Sequence, residues 1–227
     1  MKAWIGVLAV TVTSAIAQAQ VGYPPAESPF RDLVYRQELT LVAGYYGAGK
    51  DPVGVAPQSG PMLGARYEVH IGGPAQFVVR AARVFSERNI LDPTQPLDDR
   101  IIGSETWPLY LADLGITFNL TGRKSFRGLV PVTTIGGGIA SDFKGSEDIG
   151  GYKFGTAFAL SYGAGIRWVS GGRYELRLDL LDYLYQVRYP NSYFTPNGTL
   201  PPVRTGAQNV WTHNAALTIG GSYQFFR

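Results

Sequence analysis

Apolar and polar residues alternate with a period of two over most of this chain, and most regularly between residues 154 and 189. Thr156, Phe158, Leu160, Tyr162, Ala164, Ile166 and Trp168 fall on one face of that stretch. Gly155, Ala157, Ala159, Ser161, Gly163, Gly165 and Arg167 fall on the other. Beyond Ser170-Gly171-Gly172, Tyr174, Leu176, Leu178 and Leu180 alternate with Glu175, Arg177 and Asp179. Period two is the signature of a strand, so the segment reads as a long hairpin. One face is continuously bulky and apolar, and the other is small and then charged. Glycine adds no packing to a solvated strand surface. The pattern therefore fits a sheet turned inside out, with apolar side chains toward lipid and small or charged ones within a closed barrel.

The same alternation predicts strands over 35–47, 61–71, 75–88, 107–120, 127–140 and 209–226, with the hairpin supplying the sixth and seventh. The segment 127–140 has mixed faces and carries Pro131. Long connections rich in Gly, Pro and polar residues are expected at 48–60, 89–106, 141–153 and 190–208. Short turns are expected at 72–74, 121–126 and 170–172. Long and short connections alternate strictly, as in a barrel with long external loops and short periplasmic turns, both termini being periplasmic. The aromatic residues suggest two girdles. Phe77, Phe118, Trp168, Tyr174 and Phe225 lie beside the short turns or the C-terminus. Tyr45, Trp107, Tyr183, Tyr185 and Trp211 lie near the long loops. The fold class expected is all-β, an eight-stranded antiparallel up-and-down transmembrane β-barrel.

Residues 1–19 have the layout of a cleaved secretory signal: Lys2, an apolar core from Ile5 to Val12, and small residues around Ala17-Gln18-Ala19. The apolar run is too short for a membrane-spanning helix. Residues 20–34 contain Pro24, Pro25 and Pro29 and read as a periplasmic stub without a strand. Residues 35–227 form the barrel domain. Composition agrees: 29 Gly and 14 Tyr accompany modest charge, and the absence of Cys removes disulfides and thiol lipidation. The pI is near 9.1, but the basic residues are dispersed, which argues against nucleic acid as a partner.

The motif from Gly163-Ala164-Gly165-Ile166-Arg167-Trp168 through Arg177-Leu178-Asp179, with the final alternating strand, resembles the small bacterial outer-membrane β-barrel superfamily of the OmpA and OmpX kind. It is also similar to a poorly characterised outer-membrane β-barrel domain family of environmental bacteria. The resemblance implies location in the outer membrane of a Gram-negative-type bacterium. Members usually end in an aromatic residue, whereas Phe226 and Arg227 follow Phe225 here.

Projecting the alternation inward gathers Arg36, Arg66, Arg80, Arg167 and Arg177 with Glu38, Glu68, Asp113, Glu175 and Asp179. An eight-stranded barrel is just wide enough for side chains to fill, and buried charges need partners. An ion-pair network plugging the lumen is expected, and a polar path or cavity is the alternative. Signals for chemistry are weak. His70 projects inward near a short turn. His213 sits near the external rim with no acid–base partner visible in the sequence. Membrane-barrel lipid hydrolases that use Ser and His invite comparison with Trp211-Thr212-His213-Asn214, but Ala215 stands where the Ser would be wanted. Asp142, Glu147 and Asp148 lack calcium-loop spacing, and Gly136-Gly137-Gly138 lacks the Lys-Ser/Thr of a phosphate loop. No catalytic, cofactor or metal site is expected. The expected role is a non-enzymatic barrel whose partners are outer-membrane lipid and, through four loops, a possible extracellular or envelope protein. A small channel for ions or minor solutes is the alternative.

Overall fold

Every barrel strand pairs with a neighbour on both of its edges. The computed structural model describes residues 28–34 and 37–225. The expected signal segment, Arg36 and residues 226–227 lie outside the described residues. The strands in order are β1 (Phe30–Asp32), β2 (Gln37–Gly47), β3 (Gly60–Gly72), β4 (Ala75–Val84), β5 (Glu87–Leu91), β6 (Ile101–Thr106), β7 (Leu109–Asn119), β8 (Lys124–Phe126), β9 (Leu129–Ser141), β10 (Thr156–Val169), β11 (Tyr174–Arg188) and β12 (Asn209–Phe225).

Eight of these, β2, β3, β4, β7, β9, β10, β11 and β12, pair antiparallel in chain order. The ring closes where β12 meets β2, from Ala215↔Gly47 to Phe225↔Gln37. The midpoint is sealed by β7 and β9, with Leu114↔Gly137 and Thr117↔Thr134. The result is a closed up-and-down barrel without a free barrel edge. Pro131 fits because it lies at the short-turn end of β9, where its carbonyl accepts the Leu120 N–H at 2.9 Å.

Inward and outward faces separate cleanly. Along β11 burial alternates residue by residue from Tyr174 to Arg188. The outward set is apolar around the wall: Leu41 on β2, Leu63 on β3, Leu114 on β7, Ile135 on β9, Leu160 on β10, Leu178 on β11 and Leu217 on β12 are all exposed. An apolar surface continuous around a protein is far larger than water tolerates. Lipid is the medium that suits it, and a closed sheet is the β-structure that can cross lipid. The fold is an eight-stranded transmembrane β-barrel.

Three local expectations need correction. The segment before the barrel is not strandless: Phe30–Asp32 forms β1 and pairs with β8 inside the supposed basic turn, Phe30 opposite Phe126. The third strand ends at Val84, and the supposed polar loop after it contains a second hairpin, β5 with β6, from Glu87↔Thr106 to Leu91↔Ile101. The long-loop girdle also loses members. Tyr183, Tyr185 and Trp107 are buried rather than lipid-facing, while Tyr45 and Trp211 face outward. Tyr183 and Tyr185 share the parity of Glu175, Arg177 and Asp179, so strand geometry turns them into the lumen.

Replacing Leu178 or Leu217 with Arg should cost about 2–4 kcal/mol if the site lies at the bilayer midplane. Refolding titrations into lipid vesicles measure this. Gly163→Arg on the inner face should act instead by overpacking, since a Cβ there would already lie 2.9 Å from Leu181 Cα. Equal tolerance of Arg at Leu160, Leu178 and Leu217 would reverse the assigned faces.

Candidate functional site in the barrel lumen

The lumen has two zones, and the sequence of each strand sets which residues enter which zone. Toward the short turns, inward positions carry charge. Glu38, Arg66, Glu68, Arg80, Asp113, Arg167, Glu175, Arg177 and Asp179 are all buried there. They are four guanidinium groups and five carboxylates. Arg36 lies outside the described residues.

Arg167 Nη2 donates to Glu38 Oε2 at 2.6 Å and to Glu175 Oε2 at 2.7 Å, and Nη1 reaches Gln76 Oε1 at 3.3 Å. Arg177 forms a fork on Asp179, Nε to Oδ2 at 2.6 Å and Nη2 to Oδ1 at 3.1 Å, while its Nη1 donates to Glu68 Oε2 at 2.6 Å. Arg66 Nη2 bonds Glu68 Oε1 at 2.6 Å and Thr117 Oγ1 at 3.0 Å, and Nη1 approaches Asp179 Oδ2 at 3.4 Å. These contacts link β2, β3, β10 and β11 across the lumen. One level toward the loops, Arg80 Nε and Nη2 both donate to Asp113 Oδ1, at 2.8 and 2.5 Å, and Nη1 and Nη2 reach Thr134 and Ser161. Gly136 makes room for this arginine: a Cβ there would lie 3.1 Å from Arg80 Nη2 and 2.9 Å from Ser161 Oγ. Gln224 Nε2 also donates to Glu175 Oε1.

The upper zone is aromatic and apolar. Tyr46, Met62, Val84, Leu109, Leu111, Ala140, Tyr183, Tyr185 and Val187 line it, and loop residues Val55, Leu91, Tyr152, Tyr189 and Tyr193 close over it. The Tyr46 and Tyr185 hydroxyls meet at 2.6 Å. Asp51 in the first long loop accepts the Tyr189 hydroxyl and the Ala56 N–H, tying the first loop to the fourth. Arg88 bonds Asp148 at 2.8 Å and stacks on Trp107 with 4.0 Å to the ring centroid, tying the second loop to the third. Trp107 Nε1 in turn donates to Asp142 at 2.8 Å, and Arg100 Nη2 reaches the Pro201 carbonyl at 2.5 Å. The loops are thus knitted into a lid over the barrel mouth. Periodicity missed this zone because loop-to-loop contacts leave no periodic trace. The inward parity of Tyr183 and Tyr185 was the available signal.

Asp142 and Asp148 are engaged by Trp107 and Arg88, and no group of three or more His, Asp or Glu converges on a metal position among the described residues. His70 is half-buried at the short-turn end. His213 does have an acidic partner. Its Nδ1 lies 2.7 Å from Asp182 Oδ2, which also accepts the Tyr162 hydroxyl at 2.6 Å, while Asp182 Oδ1 accepts the Asn214 N–H at 2.8 Å. The cluster faces outward on β10–β12, and His213 is exposed. In the sequence Asp182 continues the outward parity of Leu176, Leu178 and Leu180, and that leucine run hides it.

No protein-family model matches the chain, and no curated protein does. Among solved structures it is similar to Neisserial surface protein A, with 13% identity over 83% of this chain and 97% of that one and a TM-score of 0.49. It is also similar to the outer membrane protein OprG from Pseudomonas aeruginosa, with 11% identity over 85% and 98% of the two chains and a TM-score of 0.49. Ail of Yersinia pestis matches with 14% identity over 83% and 99%, at a TM-score of 0.38. The barrel assignment rests on the strand pairing itself.

Arg177→Ala strips Glu68 and Asp179 of a buried cation and should destabilise the barrel by about 3–5 kcal/mol, read from unfolding in detergent. A second expectation concerns the lid. Burial pushes the Tyr152, Tyr189 and Tyr193 phenols well above the ordinary tyrosine value, with Asp51 adding to the first two and Asp148 to the third. The folded chain therefore keeps protons that the unfolded chain releases above about pH 10, the ordinary tyrosine value. The lid's contribution should be whole below that pH and fall as pH rises beyond it. Ultraviolet titration of the folded protein should leave a protected fraction of the 14 tyrosines that appears on unfolding.

Proposed function

We propose that this protein is an integral barrel of a bacterial outer membrane, with a closed lumen and a non-enzymatic role exercised by its outer surface and four external loops. The observation that carries the reading is the filling of the interior: the paired charges occupy one half, and the tyrosine core under the interlocked loops occupies the other. Water in a conducting pore would hydrate the inward charges. Instead each of the four described lumenal arginines is ion-paired to at least one carboxylate, with exposure at or below 6%. Such a network resists opening, since separating any buried pair leaves an uncompensated charge.

An orientation with the long loops outside follows from the short-turn rhythm of known membrane barrels. The loops are polar at their tips, yet Leu97, Ile101, Phe143 and Ile149 are exposed there, giving apolar points for contact with an envelope or extracellular protein.

Reconstitution in planar bilayers tests the closed lumen. The unmodified protein should give little or no steady conductance. Releasing the lid alone, by Asp51→Ala combined with Asp148→Ala, should leave conductance low, because the ion pairs still fill the other half of the lumen. Large stable channels from the unmodified protein would favour the channel alternative.

A further inference from the structure

Polar residues on the outward face of the barrel gather on one wall. On β10–β12, toward the long loops, the outward positions are Tyr162, Asp182, His213, Gln186, Arg188 and Asn209, interrupted by Phe158, Leu160, Leu184 and Trp211. Register sets Gln186 beside Trp211 and Arg188 beside Asn209. Above this wall the third and fourth long loops stand apart and leave a cleft of about 1250 Å³. Outward side chains of the wall form part of its lining, and loop residues form the rest.

The charges in this cleft are unbalanced. Arg188 is exposed and has no ion-pair partner among the described residues. Arg83, also outward at the long-loop end, differs in stacking on Phe85 at 4.9 Å and Tyr110 at 5.8 Å. Lys153, on the cleft's other side, has its Nζ only 3.4 Å from the Gly145 carbonyl. One carboxylate, Glu147, shares the space, so two cations face one anion. An arginine on a lipid-facing wall without a protein partner calls for an anion supplied by the membrane. The remaining chemistry narrows the ligand. Side-chain amides of Gln186 and Asn209 match sugar hydroxyls, and Trp211 and Phe158 sit where a ring face or the start of an acyl chain would lie. The volume exceeds the needs of a single phosphate and suits a ligand of drug size or larger.

We infer that this wall binds the phosphorylated sugar headgroup of an anionic glycolipid in the outer leaflet, with Arg188 and Lys153 on the phosphate and the acyl chains running down β10–β12. The inference rests on the orientation given under Proposed function. It adds a defined lipid site to a barrel that lipid otherwise only surrounds.

The test uses the full mature protein in phosphatidylcholine nanodiscs doped with lipid A, a diphosphorylated diglucosamine lipid. Parallel samples carry phosphatidylglycerol, which has phosphate without sugar, or a neutral galactolipid, which has sugar without phosphate. Retained lipid is counted by native mass spectrometry after detergent extraction. Lipid A should be retained several-fold over either control lipid. Arg188→Gln with Lys153→Gln should lower that retention at least about tenfold, as expected for loss of charge-assisted hydrogen bonds. Lys50→Gln, a loop charge outside the cleft, should leave it unchanged. Retention unaffected by the double variant, or equal retention of phosphatidylglycerol, would overturn the site. Displacement by soluble glucosamine 6-phosphate as readily as by lipid A would also overturn it, in favour of a soluble ligand. Heat-modifiable migration and circular dichroism of the same samples separate this outcome from failure of the membrane reading: a protein that never inserts refutes the orientation, and one that inserts without preference refutes only the site.

Discussion

Lateral closure of the sheet is the constraint on which everything else here depends. In hydrocarbon an unpaired backbone N–H or C=O costs several kcal/mol, so a membrane sheet must have no edge. β12 supplies the last edge and β2 accepts it over eleven aligned positions, from Ala215↔Gly47 to Phe225↔Gln37. Once the ring is shut, each strand's alternation has only one meaning. Odd and even positions become lumen and lipid, and a one-residue slip in any strand would put arginines in the bilayer and leucines in the lumen.

Closure at eight strands also fixes how much room the charges have. The lumen is too narrow for each ion to keep its own water, so guanidinium and carboxylate groups share one another. Arg177 shows the economy of the arrangement: it takes its fork partner Asp179 from its own strand and Glu68 from β3. Small residues are as necessary as charged ones. A side chain at Gly165 would collide with the Asp179 carboxylate, which Arg177 and Arg66 both use. Gly136 and Gly165 are therefore space left for long polar side chains.

The lid solves a different problem. Above the ion pairs, burial is achieved by tyrosines whose rings pack; the Tyr189 hydroxyl finds Asp51, and those of Tyr46 and Tyr185 find each other. The loop ties run between non-neighbouring parts of the chain: 51 with 189, 88 with 148, 100 with 201. The outer wall of β10–β12 is the converse case. There, polar groups face outward, and Asp182 is tolerated because Tyr162, His213 and the Asn214 amide surround its carboxylate.

The sequence by itself determined the number of barrel strands, their order, the alternation of long and short connections, and the inward parity of those charged residues that the structure describes. Those features follow from a strict two-residue period and from turn residues, both of which are local. It did not determine the partners. That Arg167 meets Glu38 while Arg80 meets Asp113 depends on the stagger between strands, which alternation leaves free. β1 and the β5–β6 hairpin escaped because short strands outside the membrane need no apolar face. The inward turn of Tyr183 and Tyr185 could be read from parity but was masked by the habit of aromatic residues to gather at interfaces. The lid and the Asp182–His213 pair were beyond the sequence. Both join residues distant along the chain, and only the closed ring, by fixing which strands are neighbours and at what height, brings them together.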